Sequence, residues 1–434
     1  MPIAPQKPFM PIFWIAWSLP LKTRPPDRMF DDFDTDDDND RETDTATMGF
    51  DLGDGEPSGG SYATPDEEYP VLGHARTTSI LVGHDATEAH LLSVIKSGRM
   101  PQGLLLAGPE SIGKATLAWR LARYLLANPA EEEGGSLFGD TLPKADPTSL
   151  SVPTDHPVFR LVAANAHPDL LTIERKMNEE KGTQKNIIDV DQIREIAAFM
   201  HLKPSVDGGW RVVIVDDADT MNLNAQNALL KILEEPPPQS MLLLVAHRQG
   251  QLLPTIYSRV QRLVMRRLSD NDCRSLLDND PNWRDMAQSM QTLCLHLGNG
   301  APGQMLKLVA QIENNGFSEM LEDLSLYAQK PAAAMHRLSE RVGGPGADDR
   351  FRIFQLLLTH IARLGVLKAH GAGPQGHLPE QLAPMLDDLT ARLGPPRLVG
   401  LYDSLQELFR KTLTQSLDRR LAAMEALALW RPIG

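Results

Sequence analysis

GLLLAGPESIGK, running from Gly103 to Lys114, joins a short, continuously apolar run to a glycine loop and then to a lysine that opens a helix pattern over 114–127. An unbroken apolar run of this length suits a parallel strand buried on both faces. Glycines let a backbone wrap an anion, and the helix that follows presents free N–H groups and a partial positive charge. Strand, glycine loop, lysine and helix together read as a phosphate-binding P-loop. In it Gly108 and Gly113 shape the cradle, and Lys114 reaches the outer phosphates. The next position departs from the full pattern. Ser or Thr there would bind Mg²⁺ through its hydroxyl, and this chain has Ala115. Thr116 lies one residue on, rotated about 100° around the helix, and is no automatic substitute.

Working outward, Val212-Val-Ile-Val215 is a second buried strand, and it ends in Asp216-Asp217. Ligands of open α/β sheets bind at that carboxyl edge. Asp216 could hold Mg²⁺ directly or through water, and Asp217 stands where hydrolytic members of the class carry a glutamate. The alternative stays open that both acids cap the strand or the helix beginning near Asn224. Leu170–Ile173 and Met241–Ala246 read as further strands. Residues 88–97, 190–202 and 224–235 read as helices, the last stopped by Pro236-Pro237-Pro238. Strands alternating with helices predict a doubly wound parallel sheet. After about residue 267 the pattern is helical, as in 351–367 and 401–430, with loop-like breaks at 343–346 and 371–376.

The 434 residues are 42% apolar and 23% charged, enough for two or three folded domains. The net charge of −14 is local: residues 31–70 hold fifteen Asp and Glu against one Arg. A nearly balanced body argues against a strong independent nucleic-acid binder. Residues 1–76 are expected to be a disordered acidic tail, because 30–76 lack the large apolar residues that offset ordering entropy. The apolar stretch Phe9–Leu21 is too short to span a bilayer, and no small-residue cleavage site follows it. An over-extended start, with the native one at Met29, accounts for it. Cys273 and Cys294 stand alone, without CxxC spacing, and are read as core thiols. A long insert is expected at 128–157.

Four segments then resemble the clamp-loader subunits of bacterial DNA polymerase III, in order and in spacing. They are DQIRE at 191–195, WRVVIVDDAD at 210–219, NALLKILEEPP at 227–237 and YSR at 257–259. By periodicity alone the third is only an amphipathic helix ended by prolines. Within the family the chain resembles the delta-prime type most, over roughly 78–434. The resemblance implies an AAA+ P-loop α/β domain at 77–266, a small helical lid at 267–317 and a helical collar at 318–434. It implies gamma/tau and delta subunits as partners, with the sliding clamp and primed DNA met through the complex. The expected location is the cytoplasm, associated with the nucleoid, with no membrane partner.

Departures from the family pattern point away from a motor subunit. Ala115 replaces the Mg²⁺-binding hydroxyl. Ala246-His247 stands where motor subunits carry a polar Thr. In Gly300–Leu306, Gly303 occupies the place of a phosphate-sensing arginine, and the family's four zinc cysteines before His167-Pro168-Asp169-Leu170 are missing. His156 and His167 are therefore read as ordinary loop histidines. The expectations are no zinc, weak nucleotide binding through Gly108, Gly113, Lys114, Thr116, Asp216 and Asp217, Mg²⁺ only alongside nucleotide, and little ATPase of its own. Arg259 matches the family arginine that completes a neighbour's ATP site, although Val260 replaces the usual Cys. It is expected after the last strand and a Pro254-containing loop, and a plain surface arginine is the other reading. The alternative function is an ATP-hydrolysing gamma/tau-like motor using Lys114, Asp216 and Asp217. An unrelated AAA+ remodelling factor is disfavoured by the NALLKILEEPP and Ser-Arg elements.

Overall fold

The structure is a computed structural model that describes residues 74–129, 148–178, 183–185, 187–313, 316–327, 329–344, 346–372, 379, 382–415 and 417–430. The acidic segment, the apolar stretch near the start, Met29 and most of the insert at 128–157 lie outside the described residues. Residues 74–76, assigned to the tail from composition, belong to a turn instead. Buried Arg123 donates to the carbonyls of Arg76 and Thr78, at 2.8 Å each, and its guanidinium lies over the Phe159 ring.

The strands are β1 (Gly103–Ala107), β2 (Leu170–Ile173), β3 (Met177–Asn178), β4 (Thr183–Gln184), β5 (Arg211–Val215), β6 (Ser240–Ala246) and β7 (Gln261–Val264). Five form one parallel sheet in the order β2-β5-β6-β1-β7, and β3 and β4 make a small antiparallel hairpin. The helices woven between them are α1 (Asp85–Lys96), α2 (Lys114–Ala127), α3 (Pro157–Ala163), α4 (Val190–Met200), α5 (Leu223–Glu234) and α6 (Pro254–Tyr257).

The central strands are apolar on both sides because helices cover both faces. Leu104 and Leu106 of β1, Val212 and Ile214 of β5, and Leu243 of β6 join the core beneath α1 and α2. Their neighbours Leu105, Val213, Val215, Leu242 and Leu244 join a second core beneath α4 and α5. Each fully buried Leu or Val contributes about 1.5–3 kcal/mol, so either face alone holds its helices firmly. Local signals set the helix starts: Asp189 and Gln192 form a capping box on α4, and Asn222 accepts from Ala225 N–H at 2.8 Å to cap α5.

Several elements depart from the sequence reading: α3 was not expected, and Pro254, expected in a loop, opens the short helix α6. The hairpin β3–β4 was not expected, and neither was β7. That edge strand reads Gln-Arg-Leu-Val and is half exposed, so it lacks the unbroken apolar run of the inner strands. Arg259 consequently does not follow the last strand; it lies between α6 and β7.

From residue 270 the chain is helical: α7 (Asp270–Leu277), α8 (Pro281–Asp285), α9 (Gln288–Gly298), α10 (Pro302–Glu313), α11 (Gly316–Tyr327), α12 (Pro331–Gly343), α13 (Asp348–Ala369), α14 (Ala383–Arg392), α15 (Pro395–Thr414) and α16 (Arg419–Trp430). The boundary expected at 317/318 falls inside α11, and the helical run expected over 401–430 is two helices. One continuous apolar core runs from the α1–α2 face of the sheet through Trp283, Phe354 and Trp430. Cys273 and Cys294 lie buried in it as free thiols, each pushed up to about 12 by burial. No helix among the described residues is long and apolar enough to cross a membrane.

Candidate functional site

The carboxyl ends of β1, β5 and β6 bring together the P-loop, Asp216-Asp217 and His247. Two glycines of the loop are required by geometry. A Cβ on Gly108 would sit 2.4 Å from the carbonyl oxygen of Met265, and Gly113 caps α2 with φ +100°. The loop is closed on itself. The Lys114 ammonium donates to the Pro109 carbonyl, and the side chain is buried. Burial pulls its pKa down to about 8 against the pull of Asp216, Asp219, Glu110 and Asp217. His84, also buried, bonds the Ile112 carbonyl at 2.7 Å through Nε2 and backs the loop from below. Ala115 and Thr116 are half-buried on the first turn of α2.

The acids play three different parts. Asp216 accepts from Asp217 N–H at 3.0 Å, and burial, then the charges of Asp217 and Glu174, push its carboxyl up to about 6. Asp217 adopts a left-handed conformation, φ +52°. Its two oxygens are taken by Arg175 at 2.8 Å and by His247 Nε2 at 2.5 Å. Burial works to raise its pKa, but the hydrogen bonds and charges of His247 and Arg175 win and hold it low. Asp219, which the sequence reading passed over, accepts from the backbone of His247 and Arg248 at 2.8 and 3.2 Å and fixes the end of β6. The partners of Asp217 were not foreseen either; only the oddity of His247 after the strand pointed there.

Asp216, Asp217 and His247 are the one grouping of metal-type ligands found among the described residues. They fit a Mg²⁺–nucleotide poorly. The hydroxyl that would ligate Mg²⁺ is absent at Ala115, and Asp217 is already engaged by a cation. Lys114 is also turned onto its own loop.

The lid and the C-terminal helices press on the same loop. Gly303, in the first turn of α10, donates its N–H to the Ser111 carbonyl at 3.4 Å, and a Cβ there would lie 3.2 Å from the Ser111 Cβ. A side chain at Gly303 would crowd Ser111, so the glycine lets α10 approach the loop. Arg352 of α13 reaches Glu110 at the loop's tip, 3.4 Å away. His167 Nδ1 accepts from Asp169 N–H, and Asp169 accepts from Ser205 and pairs with buried Arg211 at 3.4 Å. That segment is a structural knot, and His156 likewise caps α3.

Arg259 is elsewhere. β7 runs parallel to β1 with Leu104 opposite Gln261, so Arg259 lies beyond the amino end of β1, whereas the P-loop follows its carboxyl end. At ~3.3 Å per residue the two are separated by about 20 Å along the strand direction, too far for an arginine to span. The structure therefore joins Lys114, Asp216 and Asp217 and leaves Arg259 apart. Its guanidinium is partly exposed and is held by Glu234 Oε1 at 2.8 Å, the Thr255 carbonyl at 3.0 Å and the Ser258 hydroxyl at 3.2 Å.

Residues 83–269 match the model described as DNA polymerase III, delta subunit. The chain is 36% identical over 155 residues to the DNA polymerase III subunit delta' of Pseudomonas aeruginosa, a match covering 36% of this chain and 40% of that protein. It is 29% identical over 338 residues to the same subunit of Escherichia coli, covering 78% of this chain and 91% of that one. A solved DNA polymerase III gamma subunit-related protein from Thermotoga maritima superposes with a TM-score of 0.40 at 20% identity, over 79% of this chain and 98% of that one.

Proposed function

We propose, from the premise that this chain is a delta-prime-like subunit of the DNA polymerase III clamp-loader type, that it serves its ring as a stator and as a donor of Arg259 to the ATP site of an adjacent subunit. Its partners on this reading are gamma/tau-type and delta subunits, and through the complex the sliding clamp and primed DNA.

One observation carries the reading: the chain's own site is self-satisfied while its arginine is presented outward. Lys114, Asp217 and Ser111 are closed on internal partners within the site, whereas Arg259, although held by Glu234, Thr255 and Ser258, keeps a partly exposed guanidinium about 20 Å from the P-loop. Binding a triphosphate here would require breaking the Lys114–Pro109 contact and lifting the lid from Ser111. Burial then makes the remaining charge balance poor, since Asp216 and Asp217 face a cation site without its hydroxyl ligand. A guanidinium suits transfer in trans because it is always charged and its planar fork matches phosphate oxygens.

The test is nucleotide titration of the isolated protein with and without Mg²⁺, together with steady-state ATPase. Weak binding that Mg²⁺ does not strengthen, and negligible turnover, are expected. Tight Mg²⁺-dependent binding with turnover abolished by Lys114→Ala would assign the chain to the motor class instead.

A further inference from the structure

The NALLKILEEPP segment carries, ahead of its prolines, a carboxylate with no part in the P-loop site. Glu234 is the last residue of α5, where a negative charge faces the negative end of the helix dipole and is disfavoured. Its compensation comes from outside the helix. Glu234 Oε1 takes one terminal nitrogen of Arg259 at 2.8 Å, while the other donates to the Thr255 carbonyl at 3.0 Å and the Ser258 hydroxyl at 3.2 Å. The guanidinium is therefore oriented from two elements, the end of α5 and α6 with its C-cap Ser258. They meet because Gly103 has no side chain. A Cβ there would lie 2.9 Å from Leu233 and 3.1 Å from Val260, the sequence neighbours of the ion-paired residues.

We propose that Glu234 is the positioning residue of Arg259, holding one side of the guanidinium so that its free donors meet a neighbouring subunit's nucleoside triphosphate. The proposal rests on Arg259 acting in trans. The pair is accessible: the Arg259 and Glu234 side chains are 34% and 50% exposed, so water weakens the attraction. A guanidinium has five N–H donors, and Glu234, Thr255 and Ser258 take only part of them, so the rest of the fork is left for phosphate oxygens. Thr255 and Ser258 hold one terminal nitrogen and Glu234 holds the other, and both stay in place while phosphate is bound.

The experiment uses the reconstituted complex and its clamp- and DNA-stimulated ATPase over a range of ATP concentrations. The variants are Glu234→Ala, Glu234→Gln, Arg259→Ala and the Glu234→Ala/Arg259→Ala double. Glu234→Ala is expected to lower kcat roughly five-fold, the rate equivalent of losing one exposed ion pair, without raising KM. Glu234→Gln, which still accepts the hydrogen bond, should restore at least half of the loss. The double variant should be no slower than Arg259→Ala. If Arg259→Ala itself leaves the ATPase intact, the trans reading fails and takes this proposal with it. If Arg259→Ala is slow but Glu234→Ala is normal, raises KM alone, or slows the Arg259→Ala background further, the positioning role is refuted and the trans role survives.

Discussion

His360 of α13 provides a sharp test of how the C-terminal helices are locked to the lid. Its ring lies 5.6 Å from that of His296 on α9, and His360 Nε2 and His296 Nδ1 are both buried without a partner. Burial, then the charges of His296 and Arg363, pull the His360 pKa from 6.5 down to about 3. His296 is lowered too, by burial first, with Arg363 and Arg274 adding to the effect and Asp270 opposing it. The unfolded chain therefore takes up the proton before the folded one does. Stability is full above pH 6.5 and falls as the pH drops toward 3. Each pH unit in that window costs about 1.4 kcal/mol for His360, which amounts to about 2 kcal/mol at pH 5. His360→Leu keeps the bulk, removes an orphaned nitrogen and abolishes the titration. Urea unfolding of both proteins at several pH values between 7.5 and 5 should show the variant gaining about 2 kcal/mol on the wild type as the pH falls. Parallel curves would refute the argument and mean that the pair is hydrated or partnered in solution.

The remaining predictions concern metal, tail and thiols. Elemental analysis of the purified protein should find no tightly bound zinc, since two buried, separated thiols cannot replace a four-cysteine site; one zinc per chain would overturn this. A deletion of residues 1–73 should keep a single cooperative unfolding transition and should join the complex. It leaves the Arg76 and Thr78 carbonyls that Arg123 uses, so aggregation or failed assembly would show the tail to be structural. Cys273 and Cys294 should resist a thiol reagent at pH 8 in the folded protein, because burial keeps both protonated; rapid labelling of either would contradict the core packing.

Much of the α/β layer is legible in the chain because its cause is local. β1, β5 and β6 announce themselves as unbroken apolar runs, and α2 begins at Lys114 and ends at Ala127 as its pattern predicts. What stayed hidden depends on partners far apart in sequence. β7 is half polar because it is an edge, and its pairing with β1 supplies what its composition lacks. Nothing local says that Arg175 would neutralise Asp217, that Gly303 would admit the lid to Ser111, or that the last glutamate of α5 would hold Arg259. Each of these is a single polar or missing side chain, and none leaves a period in the sequence.

The functional asymmetry lies between Lys114 and Arg259, and one measurement addresses it. Complexes assembled with Lys114→Ala and with Arg259→Ala would be compared in clamp- and DNA-stimulated ATPase, with co-purification and thermal transitions checked first. In small GTPases an arginine supplied this way contributes roughly 10³–10⁵ in rate, and a ring with other arginines in place would lose less. Lys114→Ala should leave turnover unchanged and Arg259→Ala should lower it, with Arg259→Lys rescuing only part because it keeps the charge and loses the fork. Loss of turnover in Lys114→Ala alongside normal turnover in Arg259→Ala would contradict it, and would make this chain a motor that uses its own P-loop.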